Sequence, residues 1–255
     1  MRIVVKIGTS TLAHKTGLLN IHRVEELCKV MSDLKNAGNE VILVSSGAIG
    51  MGVGKLSLAK KPTDIPTKQA AAAVGQCELM YTYDRLFSQY NHTVAQILVT
   101  GEDIEHADRK LNFINTMARL LELGALPIIN ENDSVSTAEI EIGDNDTLGA
   151  IVATAINADL LVILSDIDGL YTADPHKDSN ASLLHKVEKI DEKIEAMIGG
   201  VGSSLGTGGM ATKIKAAKLV TKQGIDMVIA NGDNPENLYD IVDGKNIGTR
   251  FIGEK

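Results

Sequence analysis

Two lysines far apart in the chain each stand beside glycines. Lys6-Ile7-Gly8-Thr9-Ser10 closes the first β-branched run, and Gly206-Thr207-Gly208-Gly209-Met210-Ala211-Thr212-Lys213 opens a helical segment. A residue without Cβ lets backbone N–H groups approach an anion closely, so these turns suit phosphate. Lys213 falls on the first turn of its helix, where the dipole also favours negative charge. Four further polar groups follow apolar runs or open a helix: Ser45-Ser46-Gly47-Ala48-Ile49-Gly50, Asn130-Glu131-Asn132-Asp133-Ser134, Asp144-Asn145-Asp146 and Ser165-Asp166-Ile167-Asp168-Gly169. Each alone is weak, and their convergence is the signal.

Competing motifs are excluded. No GxxxxGK[ST] occurs, so the phosphate loop is not of the Walker type. Gly206 to Ala211 fits GxGxxG/A, and Asp226 lies 20 residues after Gly206. The segment before it is not a strand, and Asp226 precedes its strand instead of following one, so a dinucleotide fold is rejected. No CxxC and no HxxxH is present among two cysteines and six histidines, which leaves zinc and redox chemistry unsupported. Ordinary roles compete with the functional ones. Lys6 can be a solvated strand end. Asp144 and Asp146 can cap a helix. Asn130, Asn132, Asp133, Asp166 and Asp168 can be turn formers. Lys55, Lys60 and Lys61 read as a solvated face.

The elements that must hold these groups alternate. Strands are expected at Arg2–Lys6, Val41–Val44, Thr93–Val99, Leu126–Ile129, Leu160–Leu164 and Ile225–Ile229. Ile21, Val24, Leu27, Met31 and Leu34 recur at helical spacing before Gly38. Further helices are expected at Pro66–Tyr90, Asp108–Leu123, Asn145–Ala158 and Met210–Gln223. Such alternation implies right-handed crossovers and a three-layer α/β/α sandwich with a mainly parallel central sheet. One domain over 1–255 is the economical reading, with approximate lobes 1–158 and 159–255. The candidate groups then gather beyond the carboxyl ends of the strands, where open α/β sheets bind ligands. Met51–Gly54 and the loop to Pro66 read as flexible, suited to a lid.

The 255 residues carry a net charge of −8, with 44% hydrophobic and 23% charged residues. An acidic chain argues against nucleic acid as the main partner. Cys28 and Cys77 lie in helical segments and read as two buried, reduced thiols of a cytoplasmic protein. The first apolar run is too short for a signal peptide, and the longest, Leu148 to Ile156, cannot span a bilayer.

VVKIGTS at 4–10, LVSSGAIGMG at 43–52, IINENDSVSTAEIEIGDNDTLGA at 128–150, LSDIDGLYTADP at 164–175 and GTGGMATKIKAA at 206–217 resemble the amino acid kinase family. The resemblance covers almost the whole chain and is strongest to the branch that phosphorylates the side-chain carboxylate of L-glutamate, the first step of proline biosynthesis. It implies ATP and Mg²⁺ as cofactors. Lys6 and Lys213 would flank the transferring phosphoryl group, with Asp146 orienting both and Gly8 and Gly47 supplying backbone donors. Ser46, Asp133, Asn145 and Asn130 would bind glutamate, Asp133 taking the α-ammonium and Asn145 the α-carboxylate. Ser165, Asp166 and the turn Thr207, Gly208, Gly209, Met210, Ala211, Thr212 and Lys213 would bind ATP. No residue is expected to ligate a metal by itself. A homo-oligomer, dimer or tetramer, and feedback by L-proline are further implications. Many members of that branch carry a C-terminal PUA module, and none is expected here because the chain ends at Lys255. The chemistry agrees: a glutamate side chain, with a pKa of about 4.3, is already the nucleophile at pH 7 and needs no general base. The alternatives are another acid or phosphate kinase of the same fold, such as one acting on acetylglutamate, and a non-catalytic metabolite sensor.

Overall fold

Alternate residues of the first strand face different helical layers. Ile3, Val5 and Ile7 join one buried cluster, whereas Val4 joins the other. A strand buried on both faces belongs inside a covered, parallel sheet. The computed structural model describes residues 1–14, 18–60, 62–135, 145–175, 177–199 and 209–255. In chain order these form β1 (Arg2–Ile7), α1 (Thr9–Leu12), α2 (Ile21–Asn36), β2 (Glu40–Ser45), α3 (Ala48–Lys55), α4 (Ile65–Ser88), β3 (Val94–Val99), α5 (Gly101–Glu105) and α6 (Ala107–Glu122). There follow β4 (Leu126–Glu131), α7 (Asn145–Ala155), β5 (Leu160–Ser165), β6 (Lys186–Val187), α8 (Glu192–Gly199), α9 (Met210–Thr221), β7 (Asp226–Asn231), α10 (Asn237–Val242) and β8 (Thr249–Phe251).

The strands form one 8-stranded sheet in the order β3-β4-β2-β1-β5-β7-β8-β6. The expected three-layer α/β/α arrangement is present. Helices α2, α4 and α10 contribute the cluster around Ile3 and Val5, and α6, α7 and α9 the cluster around Val4. From β3 to β7 every pairing is parallel, but β8 runs antiparallel to β7, which makes that edge mixed. Gly248 enters β8 with φ +66, and a Cβ there would lie 2.0 Å from the Ile229 carbonyl oxygen, so only glycine makes this reversal.

Two expectations need correction. Ala48–Lys55 is a helix, not a flexible stretch. A Cβ on Gly52 would lie 1.8 Å from the Ala71 carbonyl oxygen, and one on Gly75 would lie 1.7 Å from that of Ala48. Glycine therefore lets α3 and α4 meet backbone to backbone, and close packing replaces the mobility that a glycine-rich run suggests. Lys55 of the supposed basic face is paired with Glu78 at 2.8 Å. Cys28 is buried as expected, and burial raises its thiol pKa first, with Glu25 adding to the effect. Cys77 is exposed, because it falls on the outer side of α4.

Candidate active site

The parallel register brings four strand ends to one edge. Ile7 pairs with Ser45 and with Leu164, and Val44 pairs with Ile129. Lys6 has the parity of Val4, so its side chain rises on the face covered by α7 and α9. Gly149, one turn into α7, brings that helix down onto β1: a Cβ there would lie 3.4 Å from Lys6 Cβ. Asp146, in the first turn of α7, then meets Lys6 Nζ at 2.6 Å. Lys213, in the first turn of α9, reaches the other carboxylate oxygen at 3.1 Å, and the Thr212 hydroxyl donates to the same oxygen at 3.0 Å. All three charged residues are buried.

Burial alone would raise the Asp146 pKa. The ammonium groups of Lys6 and Lys213 overcome it and hold the carboxyl below the usual carboxylate range. Two ammonium groups and one carboxylate give the three side chains a net charge of one positive unit. Gly8 borders it: extended at φ −87, it would carry a Cβ 3.6 Å from Lys6 Nζ. Its bareness keeps space open beside the ammonium. Gly209, the N-cap of α9, is also extended, and among the described residues a Cβ there would meet no atom within 4 Å. Neither glycine is required by backbone conformation. Gly47 is different, since its φ of +101 is the left-handed turn that starts α3.

Asn145, next to Asp146, faces a neutral network. Its Nδ2 donates to Ser46 Oγ at 2.6 Å, to the Ser45 carbonyl at 3.2 Å and to Asn130 Oδ1 at 3.2 Å. Asn130 Oδ1 also accepts from the Glu131 N–H at 2.9 Å, and its Nδ2 donates to Gln76 Oε1 at 2.9 Å. The expected role of Asn145 as a donor to an α-carboxylate meets an obstacle here: both amide hydrogens are already engaged, so Oδ1 is the atom left outside the network. Asp133 lies partly buried in the turn after β4, in which Val135 N–H bonds the Asn132 carbonyl at 3.1 Å.

The remaining expected residues divide. Ser165 is buried at the end of β5 and donates to Asp166 at 3.2 Å, whereas Asp166 is exposed. Met210, Ala211 and Thr212 form the start of α9 as expected, and the Thr212 hydroxyl shares its single proton between Asp146 at 3.0 Å and the Gly209 carbonyl at 2.7 Å. Thr207, Gly208, Asp144 and Lys61 lie outside the described residues. Asp168 stays a loop residue, tied by Asn231 at 2.7 Å and Tyr171 at 2.9 Å. Sequence reasoning missed Gln76. Its signal was a polar side chain on the buried face of α4, among Ala71, Ala72, Gly75 and Leu79. Among the described residues no three Asp, Glu, His or Cys side chains cluster to hold a metal ion, and no helix is long and apolar enough to cross a membrane.

Comparison with known proteins adds the following. The model of the amino acid kinase family matches residues 1–231. Over its whole length the chain is 54% identical to the glutamate 5-kinase of Clostridium perfringens, covering 96% of that protein. It is also 53% identical over its whole length to the glutamate 5-kinase of Carboxydothermus hydrogenoformans, covering 68% of that longer chain. Among solved structures it superimposes on a Giardia lamblia carbamate kinase bound to AMP-PNP with a TM-score of 0.72 and 18% identity, over 99% of this chain and 98% of that one. A product complex of T. acidophilum isopentenyl phosphate kinase gives a TM-score of 0.66 at 17% identity, over 98% and 100% of the two chains. At such identities the likeness to the solved structures is one of fold.

Proposed function

From the premise that the chain belongs to the amino acid kinase family, we propose that it transfers the γ-phosphoryl group of ATP to the side-chain carboxylate of L-glutamate. The product is L-glutamyl 5-phosphate. The observation that carries this reading is the buried triad in which Asp146 holds Lys6 and Lys213 on its two oxygens. The names of relatives more than half identical over the full chain support the choice of acceptor.

ATP supplies the phosphoryl group, and Mg²⁺ on its phosphates neutralises their charge with few protein ligands. The chain's residues fit such a ligand. Gly8 and Gly209 leave room beside the Lys6 ammonium and at the N-terminus of α9. Lys6 and Lys213 place positive charge where negative charge spreads over the transferring oxygens. Asp146 takes no proton from the acceptor, since a glutamate carboxylate is already ionised. It fixes the two ammonium groups from a site that excludes water. Residues of 1–158 form the acceptor side, with Ser46, Asn130, Asp133 and Asn145 around glutamate and Gly47 turning the chain beside them. Residues of 159–255 form the nucleotide side, with Ser165, Asp166 and Gly209 to Lys213. The enzyme acts in the cytoplasm as a homo-oligomer, and L-proline, which shares the α-amino and α-carboxylate groups of glutamate, competes with it. These last points rest on the family resemblance.

A panel of acids with Mg-ATP tests the reading, with hydroxylamine trapping any acyl phosphate. L-Glutamate is expected to give the hydroxamate together with ADP. Hydroxamate from acetylglutamate or another acid, but not from glutamate, would overturn the acceptor assignment.

A further inference from the structure

Two backbone groups fix the orientation of three side-chain amides. The Glu131 N–H can only donate, so the Asn130 atom facing it at 2.9 Å is the oxygen. The Ser45 carbonyl can only accept, so the Asn145 atom facing it at 3.2 Å is the nitrogen. Asn130 must then turn its nitrogen toward Gln76, and Gln76 must answer with its oxygen, at 2.9 Å. Gln76 is thereby left with its Nε2 pointing away from the network. That nitrogen is buried, and among the described residues it has no hydrogen-bond partner. A buried donor without a partner is costly, and leucine at this position of α4 would avoid the cost. A glutamine here has no packing rationale. It has one through its carbonyl, which saturates Asn130 and keeps the relay in a single pose. Gly75, one residue earlier, packs so closely on α3 that a Cβ there would lie 1.7 Å from the Ala48 carbonyl oxygen. The helix therefore presents Gln76 at a fixed height.

We propose that Gln76 is a positioning residue for the acceptor substrate: through Asn130 it holds Asn145 in the pose that offers Oδ1, an acceptor, to the α-ammonium of the amino acid. Asp133 supplies the charge for that ammonium, and Asn145 supplies a second, directional contact. The inference rests on the glutamate-kinase reading above. It also makes the side of the site that reads the α-amino group dependent on α4, a helix that carries none of the three triad residues.

The test is steady-state kinetics of full-length Gln76→Leu and Gln76→Glu, with thermal unfolding measured alongside. Leucine removes the carbonyl. Glutamate keeps an oxygen toward Asn130 whether or not it is protonated. For Gln76→Leu we expect KM for L-glutamate to rise about tenfold, the size of one lost hydrogen bond to a charged group. kcat and KM for ATP should stay within about twofold, and the melting temperature should change little, because leucine removes the orphan Nε2 but leaves Asn130 Nδ2 without its acceptor. Gln76→Glu should recover most of the wild-type KM. An unchanged KM in Gln76→Leu, or equal increases in both variants, would overturn the proposal. If Gln76→Leu does not fold, Gln76→Met carries the same prediction with the side-chain length preserved. Wild-type protein that forms no hydroxamate from glutamate would defeat the functional reading itself, a result distinct from any difference among the variants.

Discussion

Asn145 and Asp146 are neighbours in the first turn of α7, yet they belong to two regions held by different physics. Asp146 sits between two buried ammonium groups at 2.6 and 3.1 Å. Asn145 sits among neutral amides and a serine at 2.6 to 3.2 Å. The charged region needs little directional control, because an ammonium attracts a carboxylate from any side. It needs balance, since removing one partner strands a buried charge. The amide region carries no net charge and depends wholly on orientation, which backbone groups set. Charge placed against a transferring phosphoryl group acts on the transition state. Oriented dipoles against an amino acid act on its binding. The division predicts that the two regions separate in kinetics, one through kcat and the other through KM.

The largest expected effect is on the charged side. Lys213→Ala removes a cation aimed at the transferring oxygens. By analogy with loss of one oxyanion-hole donor, kcat should fall by roughly 10²–10³. Lys6→Ala should behave alike. KM for glutamate should change little in either variant, with circular dichroism confirming the fold. A folded Lys213→Ala protein with near-normal kcat would remove the triad from the mechanism.

On the other side, Asp133→Asn keeps shape and removes charge. Hydrogen bonds to charged groups are worth roughly 1.5–3 kcal/mol, so KM for glutamate should rise about ten- to a hundredfold while KM for ATP stays close to its original value. Titrating both substrates in the variant checks this. A change confined to kcat would merge the two regions and end the comparison.

Acid sharpens the contrast, because amides do not titrate and Asp146 does. Its pKa is depressed in the folded state, so its contribution to stability is fully present above the unfolded value of about 3.9. The contribution is lost as pH falls through the lower, folded value. Urea unfolding of wild type should therefore weaken more steeply below pH about 4 than that of Asp146→Asn. That variant takes the carboxylate away from two buried lysines, which lowers its stability at neutral pH without adding a slope in the acid window. Parallel acid slopes for the two proteins would mean that Asp146 is not held ionised by its lysines.

The charged region was legible in the sequence and the neutral one only in part. Lys6, Asp146 and Lys213 stood out because glycines and helix starts surround them. The strands and long helices also emerged within a few residues, as for Pro66–Tyr90 against Ile65–Ser88. The orientation of Asn145 could not be read. It depends on Ser45, 100 residues earlier, and on Asn130, whose pose is set by the Glu131 N–H and held by Gln76, 54 residues before it. The helix at Ala48–Lys55 was hidden because glycine signals mobility locally, while here it serves a contact with Ala71 and Gly75. The reversal at β8 was hidden for a similar reason: three residues carry no periodicity, and the demand for Gly248 comes from the carbonyl of Ile229.

The smallest effect is expected at Gly209, and it isolates the ligand from the protein. Gly75 and Gly209 are both glycines at helix positions beside the site, but their surroundings are opposite. Alanine at Gly75 would drive a methyl group into the Ala48 backbone. At Gly209 the backbone is extended, with φ −68 and ψ 176, and among the described residues a methyl group would meet nothing within 4 Å. Gly209→Ala should accordingly leave stability unchanged or raise it by about 0.4–1 kcal/mol, through the lower entropy of the unfolded chain. If phosphate oxygens approach the start of α9, the same methyl group displaces one backbone contact. KM for ATP should then rise about two- to tenfold, the size of one neutral hydrogen bond, with KM for glutamate unaffected. Paired melting curves and ATP titrations decide it. A more stable variant with unaltered KM for ATP would place the nucleotide elsewhere and leave the bare start of α9 without a function.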